Sequence, residues 1–371
     1  MSAEHLCTLQ PLEDSLEREW DSFALSRGTA PYLRPGWFRA WMGAFWPGQP
    51  LQVLTARRAG ELVALLPLMD TRLGFRAPVN AETPGFELLS TDDAAIRALV
   101  PLLLESASRV DLRFMPVGAP EEAFVAAAGE QGCRVTRDVI RRSVYTDVTQ
   151  SWETVRTEVL GRSRRKGMAH SRRKLAELGE LSSTVHDGKE DLHDLLHQAL
   201  ALEAAGWKGS EGTAILSRPS TAQFYQELAA WAADQGLLRL HFLRLDGKPI
   251  AFKLTLEQSG VVYSLKASYD ERLRQYGPGF LMSEEVLAYA SAQPHLRTVE
   301  TLGEDEPHKQ EFATGVHAQL KISVFSSGLI GSAAWMQTVA TDRLRAQARK
   351  HLSASTRTRV TRLARSARLV R

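Results

Sequence analysis

One segment of the second half constrains the fold most, because a strand pattern, a glycine-containing turn and a helix pattern follow one another directly. The strand pattern covers Val261–Ala267, the helix pattern covers Phe280–Ala292, and Arg274-Gln275-Tyr276-Gly277-Pro278-Gly279 lies between them. Two glycines permit positive φ and a close backbone approach to a bulky group. Proline fixes φ at the first helical position, where no N–H is needed. The remaining amides and the helix dipole suit a phosphate or diphosphate, although a plain strand-to-helix turn has the same pattern.

Length and charge limit the class of protein. The 371 residues suffice for two domains, and 44% hydrophobic with 24% charged residues is typical of a globular chain. The net charge of +3 is uneven, since Ser332 to Arg371 carries ten Lys and Arg residues against one acid, Asp342. We predict a mildly acidic body and a strongly basic tail that is either helical or disordered.

Cysteine content and hydropathy indicate the cellular compartment in which the protein is located. Cys7 and Cys133 lack metal-ligand spacing and form no disulfide framework, so we expect no metal. The longest mostly apolar stretches, Leu62–Met69 and Val324–Met336, are too short to span a bilayer, and no signal segment follows Met1. The sequence therefore predicts a cytoplasmic protein without a transmembrane segment, with peripheral attachment at the inner face of the membrane as an alternative.

Helix and strand patterns alternate in both halves, which predicts an α/β fold with a boundary near Gln150. Three consecutive strand patterns stand out in the second half, and Asp246-Gly247 is a hairpin turn between the first two. These patterns cover Leu237–Leu245, Pro249–Glu257 and Val261–Ser268. A basic helix is predicted over about Ser151–Leu178.

Five features between about Ser151 and Phe325 resemble, in their order, the CelD-like acetyltransferases, a branch of the GNAT superfamily related to the Fem aminoacyl transferases. They are the basic run Arg162-Ser163-Arg164-Arg165-Lys166, the helix end Glu203-Ala204-Ala205-Gly206-Trp207-Lys208, the hairpin Leu245-Asp246-Gly247-Lys248-Pro249-Ile250-Ala251, Tyr269-Asp270 with Gly277-Pro278-Gly279, and Leu302-Gly303-Glu304-Asp305-Glu306-Pro307-His308-Lys309. The resemblance implies two tandem GNAT-like domains, each with a mixed, mainly antiparallel sheet flanked by helices. It assigns residues 1–150 to a degenerate domain that walls the acceptor cleft, 151–330 to the catalytic domain with the acyl-CoA loop, and 331–371 to the basic tail.

The resemblance further implies acyl transfer from acyl-CoA, most simply acetyl-CoA, to an amine or hydroxyl of a small-molecule or glycan acceptor. Its donor-binding residues would be Arg274, Gln275, Tyr276, Gly277, Pro278 and Gly279. Its catalytic candidates are Tyr269, Asp270, Glu300, His308 and Lys309, and its acceptor-binding candidates are Trp207, Lys208 and Asp305. His308 is the first choice as base because imidazole titrates near neutrality, whereas relatives commonly carry tyrosine there. Tyr269 would protonate the leaving thiolate or simply pack against the following helix.

Two basic segments leave other functions open. Arg162–Lys174 carries seven Lys and Arg residues and no acid, an arrangement that is repulsive on a helix unless a polyanion compensates it. This run and the tail would suit an anionic membrane surface or tRNA. The alternatives are therefore an aminoacyl-tRNA-dependent transferase of the Fem type, and a non-catalytic protein of the same fold that binds polyanions or membranes.

Overall fold

A computed structural model describes residues 4–206, 212 and 214–351. Trp207, Lys208 and the tail beyond His351 lie outside the described residues. The helices are α1 Asp14–Ser26, α2 Pro35–Phe45, α3 Asp93–Glu105, α4 Ala119–Glu130, α5 Trp152–Val159, α6 Arg162–Ala176, α7 Leu192–Ala204, α8 Pro219–Asp234, α9 Pro278–Ser291, α10 Pro307–Gln310 and α11 Leu329–His351. The strands are β1 His5–Pro11, β2 Gln52–Arg58, β3 Glu61–Thr71, β4 Gly74–Arg76, β5 Leu89–Ser90, β6 Arg109–Pro116, β7 Arg134–Asp147, β8 Leu181–His186, β9 Leu238–Leu245, β10 Lys248–Gln258, β11 Val261–Tyr269, β12 Thr298–Thr301 and β13 Gly315–Phe325.

The strands form one 13-stranded sheet in the order β1-β2-β3-β4-β6-β13-β7-β12-β11-β10-β9-β8, with β5 paired to β3. Most pairs are antiparallel, but β4 pairs with β6 and β11 pairs with β12 in parallel. The predicted fold class, an α/β protein with a mixed, mainly antiparallel sheet flanked by helices, is confirmed. Strand β13 lies between β6 and β7, so a late segment of the chain completes the sheet of the first half.

Helices cover both faces of the second-half strands and create two cores. In β10, Phe252 and Leu254 face the large core shared with the first half, whereas Ala251 faces a smaller core. This alternation is the period-two pattern of a strand buried on both faces. Helices α7 and α8 contribute to the large core, and α5, α6 and α9 contribute to the smaller one.

The predicted local structure holds at the hairpin and fails at the basic helix. Asp246 and Gly247 both have positive φ, 48° and 73°, as a two-residue hairpin turn requires. The single helix predicted over about Ser151–Leu178 is instead two helices, α5 and α6. The chain is extended at Leu160 and at Gly161, and Gly161 is the N-cap of α6. Glycine has low helix propensity, so the break falls where a continuous helix costs most.

A glycine contact joins α2 of the first half to α8 of the second. A Cβ added at Gly36 would lie 2.0 Å from Nε1 of Trp231, so Gly36→Ala should destabilise the fold by about 1–3 kcal/mol through overpacking. Gly43→Ala, on the same helix, is the control. Its Cβ would meet only the flexible end of Glu227, at 3.2 Å, so helix propensity should offset the contact. Urea unfolding measures both variants, and equal losses of stability would contradict this packing.

Candidate functional site

Strands β11 and β12 pair over a short distance and then separate. Val261–Tyr263 pairs in parallel with Thr298–Glu300, after which β12 ends at Thr301 and β11 continues to Tyr269. Within the described part of the chain, this outer portion of β11 pairs only with β10. The sheet therefore has a gap in its strand pairing on the other side of β11, which begins beside Tyr263 and Glu300 and runs towards the turn that precedes α9.

The backbone of that turn is partly satisfied internally. A 3-10 helix covers Glu271–Tyr276 and ends at Gly277, whose φ is 57°. The Gly277 N–H donates to the Arg274 carbonyl at 3.0 Å, so this amide cannot also serve a ligand. The Gly279 N–H has no acceptor among the described residues and lies in the first turn of α9. The surface that the sequence predicts to bind an anion is thus the helix N-terminus with one clear amide, which is smaller than the sequence suggests.

The side chains of the turn divide into packed and exposed groups. A Cβ at Gly279 would lie 3.0 Å from the Tyr269 ring, so glycine permits this ring to pack against α9. Tyr276 contributes to the smaller core, and Pro278 is buried as the first residue of α9. Gln275 is exposed. Arg274 is also exposed and has no ion-pair partner in the described residues, which leaves its guanidinium available for a phosphate.

Asp270 caps the 3-10 helix. Its carboxylate accepts a hydrogen bond from the Arg272 backbone N–H at 3.0 Å and forms an ion pair with the Arg272 guanidinium at 2.6 Å. The hydrogen bond from the Arg272 side chain, followed by the backbone hydrogen bond, holds the pKa of Asp270 below its ordinary value. Asp270 is therefore an ionised capping residue, and its predicted catalytic role stays a prediction.

The segment after β12 contains the other predicted residues. His308 is exposed, with its Nε2 3.6 Å from the Glu306 carboxylate. Lys309 is mostly buried, and its Nζ donates to the carbonyls of Leu302 and Glu304 at 3.0 Å each. Burial lowers the pKa of Lys309. Lys309 thus fixes the loop between β12 and α10. The Asp305 carbonyl accepts from a side chain of α10 at 3.0 Å.

Glu300 occupies the last paired position before the gap. It lies opposite Tyr263 in the parallel register and opposite Tyr145 of β7 on its other side. The Nε2 atom of His317, on β13, lies 3.0 Å from the Glu300 carboxylate. The His317 ring also stacks on the Tyr145 ring, with ring centroids 4.5 Å apart. The sequence prediction omits Tyr263, His317 and Tyr145. They come from three strands, and only the sheet register brings them together.

The Glu300–His317 pair predicts a measurable titration. The hydrogen bond to Glu300 raises the pKa of His317 above its ordinary value of 6.5. The pair therefore stabilises the fold fully below pH 6.5, and this contribution is lost as the pH rises through the pKa of folded His317. We expect Glu300→Gln to shift the His317 NMR titration midpoint downwards, and Glu304→Gln, which removes an exposed carboxylate, to leave it unchanged. An unaffected midpoint in Glu300→Gln would contradict the pairing.

The first half contributes a wall to the same region. The Tyr32 ring meets the Tyr263 ring edge-on at 5.6 Å between centroids. Burial raises the pKa of Tyr32, Tyr263 and Glu87, and the negative charge of Glu300 acts in the same direction on both tyrosines. These hydroxyl groups therefore remain protonated and can donate hydrogen bonds beside the Glu300 carboxylate.

A second polar contact ties the two halves together. Glu82 forms an ion pair with Lys266 of β11 at 2.8 Å and accepts a hydrogen bond from the Tyr225 hydroxyl at 3.0 Å. Burial opposes ionisation of Glu82, but the Lys266 ammonium outweighs this effect and lowers its pKa. The contact holds the loop of the first half against β11 and α8.

Helix α6 lies beside the turn, but part of its positive charge is neutralised within the protein. The Arg164 guanidinium lies 4.5 Å from the centroid of the Phe280 ring and pairs with Glu311. Arg172 pairs with both Glu284 and Glu285 of α9. Of the run that the sequence singles out, only part remains available for a polyanion.

Two further findings concern the described residues alone. No group of three or more His, Cys, Asp and Glu side chains in this part of the chain is arranged to hold a metal ion. Across residues 4–206, 212 and 214–351, no helix has both the length and the apolar character needed to cross a membrane.

Comparison with known proteins finds a matching family model and solved structures of similar fold. Residues 162–310 match the family model described as Acetyltransferase (GNAT) domain. The crystal structure of FemX superposes with a TM-score of 0.58 at 12% identity, covering 85% of this chain and 96% of that one. A conserved protein of unknown function from Bacteroides thetaiotaomicron gives 0.54 at 10% identity, covering 86% and 100%. L-PGS from Bacillus licheniformis gives 0.51 at 9% identity, covering 86% and 94%. No curated protein sequence matches significantly.

Proposed function

We propose that this chain is a GNAT-type acyltransferase that moves an acyl group, most simply acetyl, from acyl-CoA to an amine or hydroxyl of a cell-envelope sugar or related metabolite. The observation that carries the proposal is the gap between β11 and β12, which runs from Glu300 to the N-terminus of α9. A gap of this form accommodates an extended acyl-carrying arm, and the helix N-terminus suits the diphosphate at the end of that arm.

The residues at the turn suit a diphosphate, although they offer it fewer free backbone N–H groups than a glycine-rich phosphate-binding loop does. The positive end of the 14-residue helix α9 and the Gly279 N–H would face one phosphate. The unpaired Arg274 would pair with the other, because guanidinium geometry matches phosphate oxygens. Gly277 contributes the positive φ that starts the helix rather than a donor.

The reaction needs a base at the start of the gap. The acceptor nitrogen or oxygen attacks the thioester carbonyl carbon, the carbon–sulfur bond breaks so that CoA leaves as its thiolate, and the base takes the proton that the acceptor loses. The Glu300 carboxylate is the best candidate for that proton, because it lies at the strand separation and is only 15% exposed. His317 orients this carboxylate through their hydrogen bond. The exposed His308 remains the alternative base. The donor carbonyl oxygen would lie beside the protonated hydroxyl of Tyr263.

The Fem-type alternative uses aminoacyl-tRNA as donor on the same fold. The structural likeness to FemX favours it, as do the basic residues Arg162 and Lys166, which have no ion-pair partner among the described residues. In this version α6 and the basic tail would contact the tRNA backbone, with a steep dependence on salt. A non-catalytic protein that binds an anionic membrane through the same segments is the remaining alternative.

A donor assay separates these functions. We expect the purified protein to release free thiol from acetyl-CoA when amino sugars are supplied, with the acetylated product identified by mass spectrometry. Consumption of aminoacyl-tRNA without any thiol release would establish the Fem-type alternative instead. If neither donor is consumed, and removal of the tail abolishes binding to anionic vesicles, the transferase proposal is wrong.

A further inference from the structure

Lys253 is a buried lysine that the fold leaves without a counter-ion. It lies in the middle of β10 and is 8% exposed. In the described residues, its Nζ has neither a hydrogen-bond acceptor nor an ion-pair partner. A buried ammonium without compensation costs several kcal/mol, so proteins normally pair it or bind an anion there.

The strand pattern places Lys253 on the face that leads to the turn before α9. Phe252 and Leu254 face the large core, so Lys253 faces the opposite side with Ala251. Directly across the antiparallel pair lies Ala267 of β11, and two residues further along β11 is Tyr269, whose ring packs against Gly279. Ala267, the β11 residue directly opposite Lys253, is itself exposed.

The groups around Lys253 do not supply the negative charge that its ammonium lacks. Its cross-strand neighbour on β9 is His241, which is buried, and burial lowers the pKa of His241 to about 3. The ammonium of Lys309 also acts on Lys253, and burial together with this charge lowers the pKa of Lys253 to about 8. The acids of α9, Glu284 and Glu285, are paired with arginines of α5 and α6. Further along β9 and β10, Arg239 pairs with Glu257.

We propose that Lys253 is an interior anchor for a phosphate of the donor, placed beneath the turn that precedes α9. The inference rests on the proposed function, because it assumes that a phosphate-bearing donor occupies the gap beside β11. It adds a specific positioning residue from the sheet to the contacts of Arg274 and the Gly279 amide. The same chemistry would serve CoA or the terminal phosphates of aminoacyl-tRNA.

Calorimetry with CoA tests the anchor through proton uptake. Pairing with phosphate should raise the pKa of Lys253 above its value of about 8, so binding at pH 8.5 should take up as much as about three quarters of a proton in the wild type, measured from the buffer dependence of the enthalpy. Lys253→Met keeps the side-chain length, and should remove the uptake and weaken CoA binding by at least about tenfold. Lys248→Met, at the exposed start of the same strand, should bind and take up protons as the wild type does.

A second variant, Lys253→Arg, and a second ligand, pantetheine, test the anchor further. Lys253→Arg retains the charge but does not titrate near pH 8.5, so it should bind CoA without proton uptake even if Lys253→Met does not fold. Pantetheine lacks the phosphates, and its binding should not distinguish Lys253→Met from the wild type.

Proton uptake that persists in Lys253→Arg, or an unchanged CoA affinity in a folded Lys253→Met, would overturn the anchor and leave the proposed function intact. If the wild type binds neither CoA nor aminoacyl-tRNA, as filter binding of labelled aminoacyl-tRNA would show, the proposed function fails together with the anchor.

Discussion

Replacing Glu300 with glutamine should lower kcat/KM by about 100- to 10,000-fold, the usual contribution of a positioned general base. Glutamine keeps the size of the side chain and can still contact His317, but it cannot take the acceptor proton. Steady-state thiol release from acetyl-CoA measures the effect. The free energy of unfolding should change little near neutral pH, because the interaction lost is the charge pairing with the His317 side chain, which is 54% exposed.

His308→Asn is the matched comparison, because it removes the imidazole of His308, which is the base predicted first from the sequence. Its side chain is 59% exposed and its ring nitrogen lies 3.6 Å from Glu306, so we expect less than about a threefold change in rate. A large loss in His308→Asn together with near-normal activity in Glu300→Gln would move the base to α10 and contradict the assignment of Glu300.

Replacing Arg34 with methionine should lower the free energy of unfolding by about 2–4 kcal/mol, because it removes charged hydrogen bonds from a buried site. Arg34 is 2% exposed and pairs with Asp21 at 2.7 Å. It also donates to Gln235 and Gln258 of the second half, and its guanidinium lies 5.3 Å from the Trp231 ring centroid. Both halves should lose stability together in urea unfolding.

Arg39→Met is the control from the same region. Arg39 pairs with Glu17 and Asp14 but is 62% exposed, and exposed ion pairs contribute less than about 1 kcal/mol. Equal losses for the two variants, or a first half that unfolds separately in Arg34→Met, would contradict the role of Arg34 in joining the halves.

Local patterns predict much of this fold because they depend on neighbours in sequence. The three consecutive strands, the positive-φ hairpin at Asp246-Gly247 and helix α9 follow directly from period-two patterns, turn chemistry and the proline at N1. The break at Gly161 is missed because a single glycine within a helix pattern does not by itself predict that the helix ends there. The insertion of β13 between β6 and β7 is a long-range pairing that no local pattern reports.

The candidate site is less predictable because its contacts join distant strands. Glu300 is among the predicted residues, but its partner His317 is identified only through the register of β7, β12 and β13. The sequence predicts that the two glycines of the turn expose amides for a ligand. Gly277 instead uses its N–H within the turn, and Gly279 provides space for the Tyr269 ring. Trp207 and Lys208 lie outside the described residues, so their acceptor-binding role stays a prediction.

Calorimetric titration with CoA of the wild type, Arg274→Met and Arg272→Met tests most directly whether the turn before α9 holds the donor diphosphate. Arg272 is already paired with Asp270 and is 89% exposed, so its loss should leave the affinity unchanged. Loss of the unpaired Arg274 should weaken binding by about tenfold, the value of a charge-assisted contact. No binding by the wild type, or equal affinities for the two variants, would contradict the account.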